Sequence, residues 1–254
     1  MSGSRSTLLA PLALLVCLAV ARWLSFTVAA WLMALVSFAG LREYLSLADL
    51  RAEDRWAMLA AYLAIPLQFW LVVVDWYGFF IVAVPVYVFV LLPFLVALGG
   101  SPRGAVFSMG ALDLGLFLFV YCLGHLAYLA RSSLLLALLL LLTAYLTDLL
   151  ERVVRHAGGG PWLSYLAAAP PCFLLCMLVG LPAGLARPEG LALALILPLL
   201  VLMGNFTLRA VETDLGIDPA QLEPGRGRII DGLRPLLFAA PVGFHLLRYA
   251  TEIF

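Results

Sequence analysis

The sequence contains no lysine: all 15 of its basic residues are arginine. This absence excludes every mechanism that needs a lysine side chain, such as a Schiff base or the lysine of a P-loop. The four cysteines (Cys17, Cys122, Cys172 and Cys176) all lie in apolar runs and do not indicate a disulfide framework. Cys172 and Cys176 have the i, i+4 spacing of a metal site. No histidine or further thiol lies nearby, so we interpret both as small buried side chains.

Charge of either sign is also scarce, because only 12% of the residues are charged while 65% are hydrophobic. Such a composition cannot cover a soluble globule with polar surface. A membrane-spanning helix needs about 20 mostly apolar residues. We therefore predict an all-α, polytopic integral membrane protein with about nine transmembrane helices and a single transmembrane domain over residues 1–254. The predicted spans are 8–21, 24–41, 56–75, 76–97, 104–130, 132–147, 162–183, 190–208 and 229–249.

The arginines are distributed unevenly between the two sides of this layout. With the N-terminus in the cytoplasm, eleven arginines lie on the inner side and four on the outer side, as the positive-inside rule requires. The inner set is Arg5, Arg42, Arg51, Arg55, Arg103, Arg152, Arg155, Arg209, Arg226, Arg228 and Arg234, and the outer set is Arg22, Arg131, Arg187 and Arg248. We expect a bacterial inner membrane, with the N-terminus and the loops at 148–160 and 209–228 in the cytoplasm.

A polar stretch near the C-terminus, residues 209–234, combines carboxylates and arginines with Gly225 and Gly227. Phosphate transfer needs oxygen ligands for Mg²⁺, cations for the phosphoryl charge and a backbone that can approach it closely. The alternative is a cytoplasmic loop that binds anionic lipid headgroups through its arginines. Asp148, followed by arginines and a glycine run, is consistent either with a metal-bound phosphate or with an ordinary charged helix end.

Two further features leave alternatives open. Asp113 lies inside the fifth span, where a charge is costly and often functional. His125 is twelve residues further on and does not share its helix face, so a proton relay within this helix is not supported. A transporter that uses Asp113 is therefore one candidate function, besides the two that are described below. Residues 41–55 mix apolar and charged positions, which predicts either a short interfacial helix or a solvated connector.

The C-terminal stretch resembles the signature of the phosphatidate cytidylyltransferase (CDP-diacylglycerol synthase) family. That signature reads approximately K-D-x-G-x-x-x-P-G-H-G-G-x-x-D-R-x-D and is followed by an apolar run similar to L-L-F-A-A-P. Pro224-Gly225, Gly227 and Asp231 fall in register, residues 236–241 match the apolar run, and Asp218 aligns with the aspartate of K-D. Arg42-Glu43-Tyr44 and Thr147-Asp148 are weaker similarities. The signature region spans residues 204–235.

The resemblance implies a reaction in which the phosphate of phosphatidic acid attacks the α-phosphate of CTP, giving CDP-diacylglycerol and pyrophosphate with the help of Mg²⁺. It implies that Asp218 and Asp231 are catalytic residues and metal ligands, with Asp148 as a third ligand. Substrate would be bound by Arg209, Arg226, Arg228, Arg234, Gly225 and Gly227. The partners would be phosphatidic acid or a related lipid phosphate, CTP, membrane lipids and a second copy in a homodimer. We expect no nucleic acid.

The stretch also departs from the family pattern. Arg226 stands in place of the histidine, Arg228 in place of the last glycine, and Arg234 in place of the final aspartate. Losing a carboxylate and gaining arginines weakens the binding of a divalent cation, whereas arginine still binds phosphate well. These departures support a second interpretation, in which the chain keeps the family's fold and lipid cleft but has lost turnover and acts as a phospholipid-binding or partner protein.

Overall fold

The structure is a computed structural model that describes residues 9–99, 102–218, 221–223 and 225–250. Arg5 and Pro224 lie outside the described residues. The helices are α1 Leu9–Trp23, α2 Phe26–Leu47, α3 Ala52–Val73, α4 Tyr77–Leu98, α5 Ala105–Ser132, α6 Leu134–His156, α7 Pro161–Ala183, α8 Arg187–Asp214 and α9 Arg228–Tyr249. Eight of them, α2 to α9, are long and apolar enough to cross a membrane, and α1 is a shorter apolar helix. The prediction of an all-α polytopic membrane protein is therefore confirmed.

The connections between the helices follow from local sequence. Ser133 starts α6, and its Oγ accepts a hydrogen bond from the backbone N–H of Leu136, as expected at a helix N-terminus. Pro161 occupies the first position of α7, where its missing N–H costs nothing. Short π-helical segments interrupt α4, α5 and α7. The short connections leave neighbouring helices packed side by side.

The last helix occupies the centre of the bundle. The first part of α9 packs against α1, α2, α6 and α8. The helices α8 and α9 can approach closely because Gly204 of α8, which has no side chain, faces Phe238 of α9. A Cβ on Gly204 would lie 3.1 Å from Cβ of Phe238. The packing brings the ends of α2, α6 and α8 to the start of α9.

Two polar stretches are more helical than the sequence suggests. Of residues 41–55, residues 41–47 are the last turns of α2 and include the buried Glu43, whereas residues 48–51 are a short connector and residues 52–55 begin α3. The helix α8 continues to Asp214, and α9 begins at Arg228. As a result, only residues 215–227 connect α8 to α9, and most of the charged groups near this connection lie on helices.

Candidate functional site

A cluster of buried and half-buried charged side chains lies where α6 and α8 end and α9 begins. We call it the acid–arginine cluster. It contains four carboxylates and four guanidinium groups: Asp148, Glu151, Glu212, Asp231, Arg152, Arg155, Arg209 and Arg234. All four carboxylates are buried, with side-chain exposures of 6–8%. Their charges are therefore compensated within the protein rather than by water.

Helical spacing places these groups on facing sides of three helices. The cluster members on α6 are Asp148 and the residues three, four and seven positions after it. On α8, Asn205 is followed by Arg209 at i+4 and Glu212 at i+7. Positions three, four and seven apart lie on one face of an α-helix. Each helix thus presents one polar stripe, and the three stripes meet.

Arg234 is at the centre of the acid–arginine cluster and is only 4% exposed. Its Nη1 donates to both carboxylate oxygens of Glu212, at 3.1 and 2.8 Å, and lies 2.8 Å from Oδ1 of Asp231. Its Nη2 lies 3.9 Å from Oδ1 of Asp148. One guanidinium group therefore holds carboxylates from all three helices together.

Arg152 and Asn205 complete the connections. Nε of Arg152 donates to Oδ2 of Asp148 at 2.7 Å, and its Nη2 lies 3.4 Å from Oδ2 of Asp231. The side-chain amide of Asn205 donates to Asp148 at 2.9 Å and to Glu151 at 2.6 Å. Every carboxylate oxygen of Asp148 and Asp231 therefore has a nitrogen within ion-pair or hydrogen-bond distance.

The outer edge of the acid–arginine cluster is richer in arginine. Arg209 donates from Nη1 to Oε1 of Glu151 at 2.7 Å, and Nε of Arg155 lies 3.6 Å from the same oxygen. Nη2 of Arg209 is buried without a hydrogen-bond partner among the described residues. The side chains of Arg152, Arg155 and Arg209 are 25–48% exposed, so this edge reaches water.

Glu43 of α2 closes the N-terminus of α9. Its Oε1 accepts a hydrogen bond from the N–H of Gly225 at 2.8 Å, and its Oε2 accepts from Ile229 at 2.7 Å and Ile230 at 3.0 Å. The first N–H groups of a helix have no partner within the helix, and the helix dipole favours a negative charge there. A carboxylate from α2 thus occupies the place at which the N-terminus of α9 would otherwise attract an anion.

A cleft of about 330 Å³ opens beside the acid–arginine cluster. Asp148, Arg152 and Asp231 line its polar end, while its remaining wall is mostly apolar, with Leu142 and Leu146 among the lining side chains. Ligand pockets typically measure about 300–1,000 Å³, so the cleft is large enough for a headgroup. The lining of the cleft is therefore amphipathic.

The residues singled out from the sequence fall into three groups. Asp148, Asp231, Arg209 and Arg234 belong to the acid–arginine cluster. Asp218 and Arg226 instead line a separate cavity of about 240 Å³ together with Leu47 and Ile217. Arg228, Gly225 and Gly227 lie at the start of α9, with both glycines at positive φ. The structure therefore brings Asp148 and Asp231 together but not Asp218 with them.

The carboxylates of the acid–arginine cluster do not fit a magnesium site as they are arranged. Mg²⁺ requires near-octahedral oxygen ligands, some of them waters. Here the oxygens of Asp148 and Asp231 accept from arginine and asparagine, and Arg234 lies between the acids. Within the described residues, no group of three or more His, Cys, Asp and Glu side chains could hold a metal ion.

Two buried residues that contact this end of the bundle, Glu43 and Asn205, have no role assigned from the sequence. In the sequence, Glu43 belongs only to a weak family similarity, and Asn205 belongs to no motif. A polar asparagine within the apolar run of α8, four residues before Arg209 and seven before Glu212, is a signal of a polar helix face. The assumption that α8 ends at 208 concealed it.

Asp113 and His125 lie in different surroundings of α5. Asp113 lines a mostly apolar cavity of about 460 Å³, and its Oδ1 has no hydrogen-bond partner among the described residues. His125 is fully buried and packs with Phe80 and Phe244, at centroid distances of 4.9 and 5.2 Å. These positions agree with the expectation that the two residues do not form a relay.

Comparison with known proteins identifies a relative in Escherichia coli. No family model matches the chain, and no solved structure matches it. The chain is 28% identical over 250 residues to a protein of Escherichia coli (strain K12) named uncharacterized protein YnbB, and the match covers 90% of this chain and 80% of that protein. The similarity extends over most of both chains.

Proposed function

We propose that this membrane protein binds the phosphate of an anionic phospholipid, such as phosphatidic acid, in the cleft between α1, α6 and α9. The observation that carries the proposal is the position of Arg234. Its guanidinium supplies the positive charge within the acid–arginine cluster that a metal ion would otherwise supply. The acids are compensated internally, and Arg152, at the polar end of the cleft, is the guanidinium that meets the lipid phosphate. The proposed orientation places this site at the cytoplasmic face of a bacterial inner membrane.

The cleft supports a lipid ligand through its shape and chemistry. Its apolar wall includes Leu142 and Leu146, one turn apart on α6, against which an acyl chain packs. Its polar end offers Arg152, whose side chain is 34% exposed and therefore accessible. Arginine binds phosphate oxygens through directional, charge-assisted hydrogen bonds. A phosphate ligand would compete with Asp148 and Asp231 for this guanidinium.

Lipid binding can be tested on the purified protein in detergent. Native mass spectrometry would compare phosphatidic acid with phosphatidylcholine for the wild type, Arg152→Gln and Arg155→Gln. Arg155 is a matched control, because it lies on the same helix but does not line the cleft. We expect preference for phosphatidic acid and an affinity about tenfold weaker, or about 1.4 kcal/mol, in Arg152→Gln alone. Equal binding of both lipids, or no effect of Arg152→Gln, would contradict the proposal.

The second candidate is the family reaction, CTP-dependent cytidylyl transfer to the same lipid phosphate. The observation that favours it is that Asp148 and Asp231, from distant parts of the sequence, both contact Arg152 at the polar end of the cleft. In this reaction a phosphate oxygen of the lipid forms a bond to the α-phosphorus of CTP, and the bond to pyrophosphate breaks. Purified protein would be given phosphatidic acid, labelled CTP and Mg²⁺. CDP-lipid made by the wild type and absent with Asp231→Asn would establish transfer as the function, while no product with retained lipid binding would eliminate it.

A further inference from the structure

A second polar cavity, of about 630 Å³, lies at the end of the bundle opposite the acid–arginine cluster. Phe26, the first residue of α2, contributes to its lining, whereas Glu43 near the other end of α2 caps α9. At a rise of 1.5 Å per residue, the two residues are about 26 Å apart along the helix. The two sites therefore lie near opposite faces of the membrane, and their ligands would reach them from different sides.

Two arginines from distant parts of the sequence line this cavity. Arg131 comes from the end of α5 and Arg248 from the end of α9. The guanidinium of Arg131 donates from Nη1 to the carbonyl of Val73 at 3.0 Å. The guanidinium of Arg248 lies 3.4 Å from the centre of the Tyr77 ring, a cation–π contact. Both groups are thus held in position before any ligand binds.

One carboxylate, Asp75, faces the same cavity. Its backbone has φ of 61°, and it is the single non-glycine residue with positive φ among the described residues. The hydroxyl of Tyr128 donates to Oδ1 of Asp75 at 2.5 Å, and Nε of Arg131 lies 3.3 Å from the same oxygen. With two arginines and one aspartate, the charged groups of the lining have a net charge of one positive unit.

We propose that this cavity binds a phosphate-bearing anion between Arg131 and Arg248. Arginine is the side chain best suited to phosphate oxygens, and Tyr77 and Tyr128 supply the aromatic surface typical of a membrane–water interface. The volume falls within the usual range for small-molecule sites. The ligand is an anionic lipid headgroup or a soluble phosphate ester, which share this chemistry. The site is separate from the proposed function and does not depend on it.

A reporter inside the cavity can measure binding there without interference from the cleft. Ser132 lines the cavity, and all four native cysteines are buried, so Ser132→Cys would introduce one accessible thiol. Its rate of reaction with a neutral maleimide would be measured in detergent, with the wild type as background. A ligand present at ten times its Kd protects the thiol about tenfold, since only the unliganded protein reacts.

The source of the phosphate is distinguished by three additions to the Ser132→Cys protein. Phosphatidic acid in mixed micelles tests a lipid headgroup, glycerol phosphate tests a soluble ester, and phosphatidylcholine controls for coverage by neutral lipid. Protection by phosphatidic acid alone identifies a lipid site. Protection by both phosphate compounds identifies a site for soluble anions as well. Failure of both to protect, or equal protection by phosphatidylcholine, would overturn the proposal.

Charge variants in the same background give effects of opposite sign. We expect Arg131→Gln and Arg248→Gln each to raise the concentration for half protection about tenfold. Asp75→Asn should lower it, because the change removes a repelling charge while asparagine tolerates positive φ. Arg22→Gln, at the same membrane face but outside the lining, should change nothing.

Each variant would first be checked for folding by size-exclusion chromatography and thermal unfolding. If either arginine variant fails to fold, the remaining one and Asp75→Asn still test the proposal. Unchanged half-protection concentrations in the folded variants would show that the charged groups of the cavity do not bind the ligand, and would overturn it.

Discussion

Arg234 places its terminal nitrogen Nη1 between the two carboxylate oxygens of Glu212, at 3.1 and 2.8 Å. Both side chains are almost fully buried, at 4% and 6% exposure. A buried charge is stable only when opposite charges and hydrogen bonds compensate it. The arginine and the acids of the acid–arginine cluster therefore depend on one another for stability.

Removing Arg234 should destabilise the protein strongly. Arg234→Leu leaves Glu212, Asp231 and Asp148 without their central cation, and we expect a loss of about 3–5 kcal/mol in the free energy of unfolding. Arg226→Gln, at an exposed position, should change it by less than about 0.5 kcal/mol. Denaturant unfolding in detergent measures both, and a loss below about 1 kcal/mol for Arg234→Leu would show that the acids are compensated in another way.

Glu43 should stabilise the start of α9. Glu43→Gln keeps the size of the side chain but exchanges one acceptor oxygen for an amide that repels a backbone N–H. We expect a loss of about 1–3 kcal/mol, since a buried donor is left unsatisfied. Asp49→Asn, a change at an exposed position near the same end of α2, is the control. Equal unfolding curves for the two variants would mean that Glu43 does not serve as the cap.

Gly227 and Gly225 should respond differently to alanine. Both have positive φ, which costs a residue with a Cβ about 1–2 kcal/mol. A Cβ on Gly227 would in addition collide with Ile217, whereas one on Gly225 would meet open space. We therefore expect Gly227→Ala to be the more destabilising of the two, and the added change Ile217→Ala to recover part of the difference. A larger effect at Gly225 in thermal unfolding would contradict this reasoning.

The hydrogen bond from Tyr128 to Asp75 should make stability depend on pH in the acid range. This bond, together with the nearby Arg131, holds the pKa of Asp75 below its ordinary value. The folded pKa is therefore lower than the unfolded one, so the stabilisation is fully present above the unfolded pKa of about 3.9 and is lost as the pH falls through the folded pKa.

Tyr128→Phe tests this effect. The wild type should be more stable than the variant at pH 6, and the difference should shrink as the pH falls below about 4. Tyr87→Phe, at an exposed position, controls for the loss of a hydroxyl group. Melting temperatures between pH 3 and pH 7 measure the effect, and a difference that stays constant over this range would argue against it.

The positions of the spans could be predicted from the sequence because hydrophobic runs are local. All nine expected runs correspond to helices, although α2, α6 and α8 extend beyond their predicted ends at residues 41, 147 and 208. The extensions are the parts that carry Glu43, Glu151 and Glu212. Hydropathy alone predicts that each span ends at its first charged residue. In the bundle, the charged side chains are paired between helices, so the helices continue past these residues.

The partners of each charge could not be predicted in the same way. Asp148 and Asp231 were both singled out, and they do meet, but through Arg152 and Arg234. The register of the motif predicts Asp218 beside them, but the chain turns at Gly216, which has positive φ, and Asp218 lines another cavity. Sequence register identifies candidate residues, while the crossing of helices determines which of them share a site.

The most direct test of the central claim is the affinity of the purified protein for phosphatidic acid with Mg²⁺ and with a chelator. Because Arg234 supplies the internal positive charge, we predict the same affinity in both conditions and about tenfold weaker binding in Arg152→Gln. Binding that requires Mg²⁺ and persists unchanged in Arg152→Gln would contradict the account.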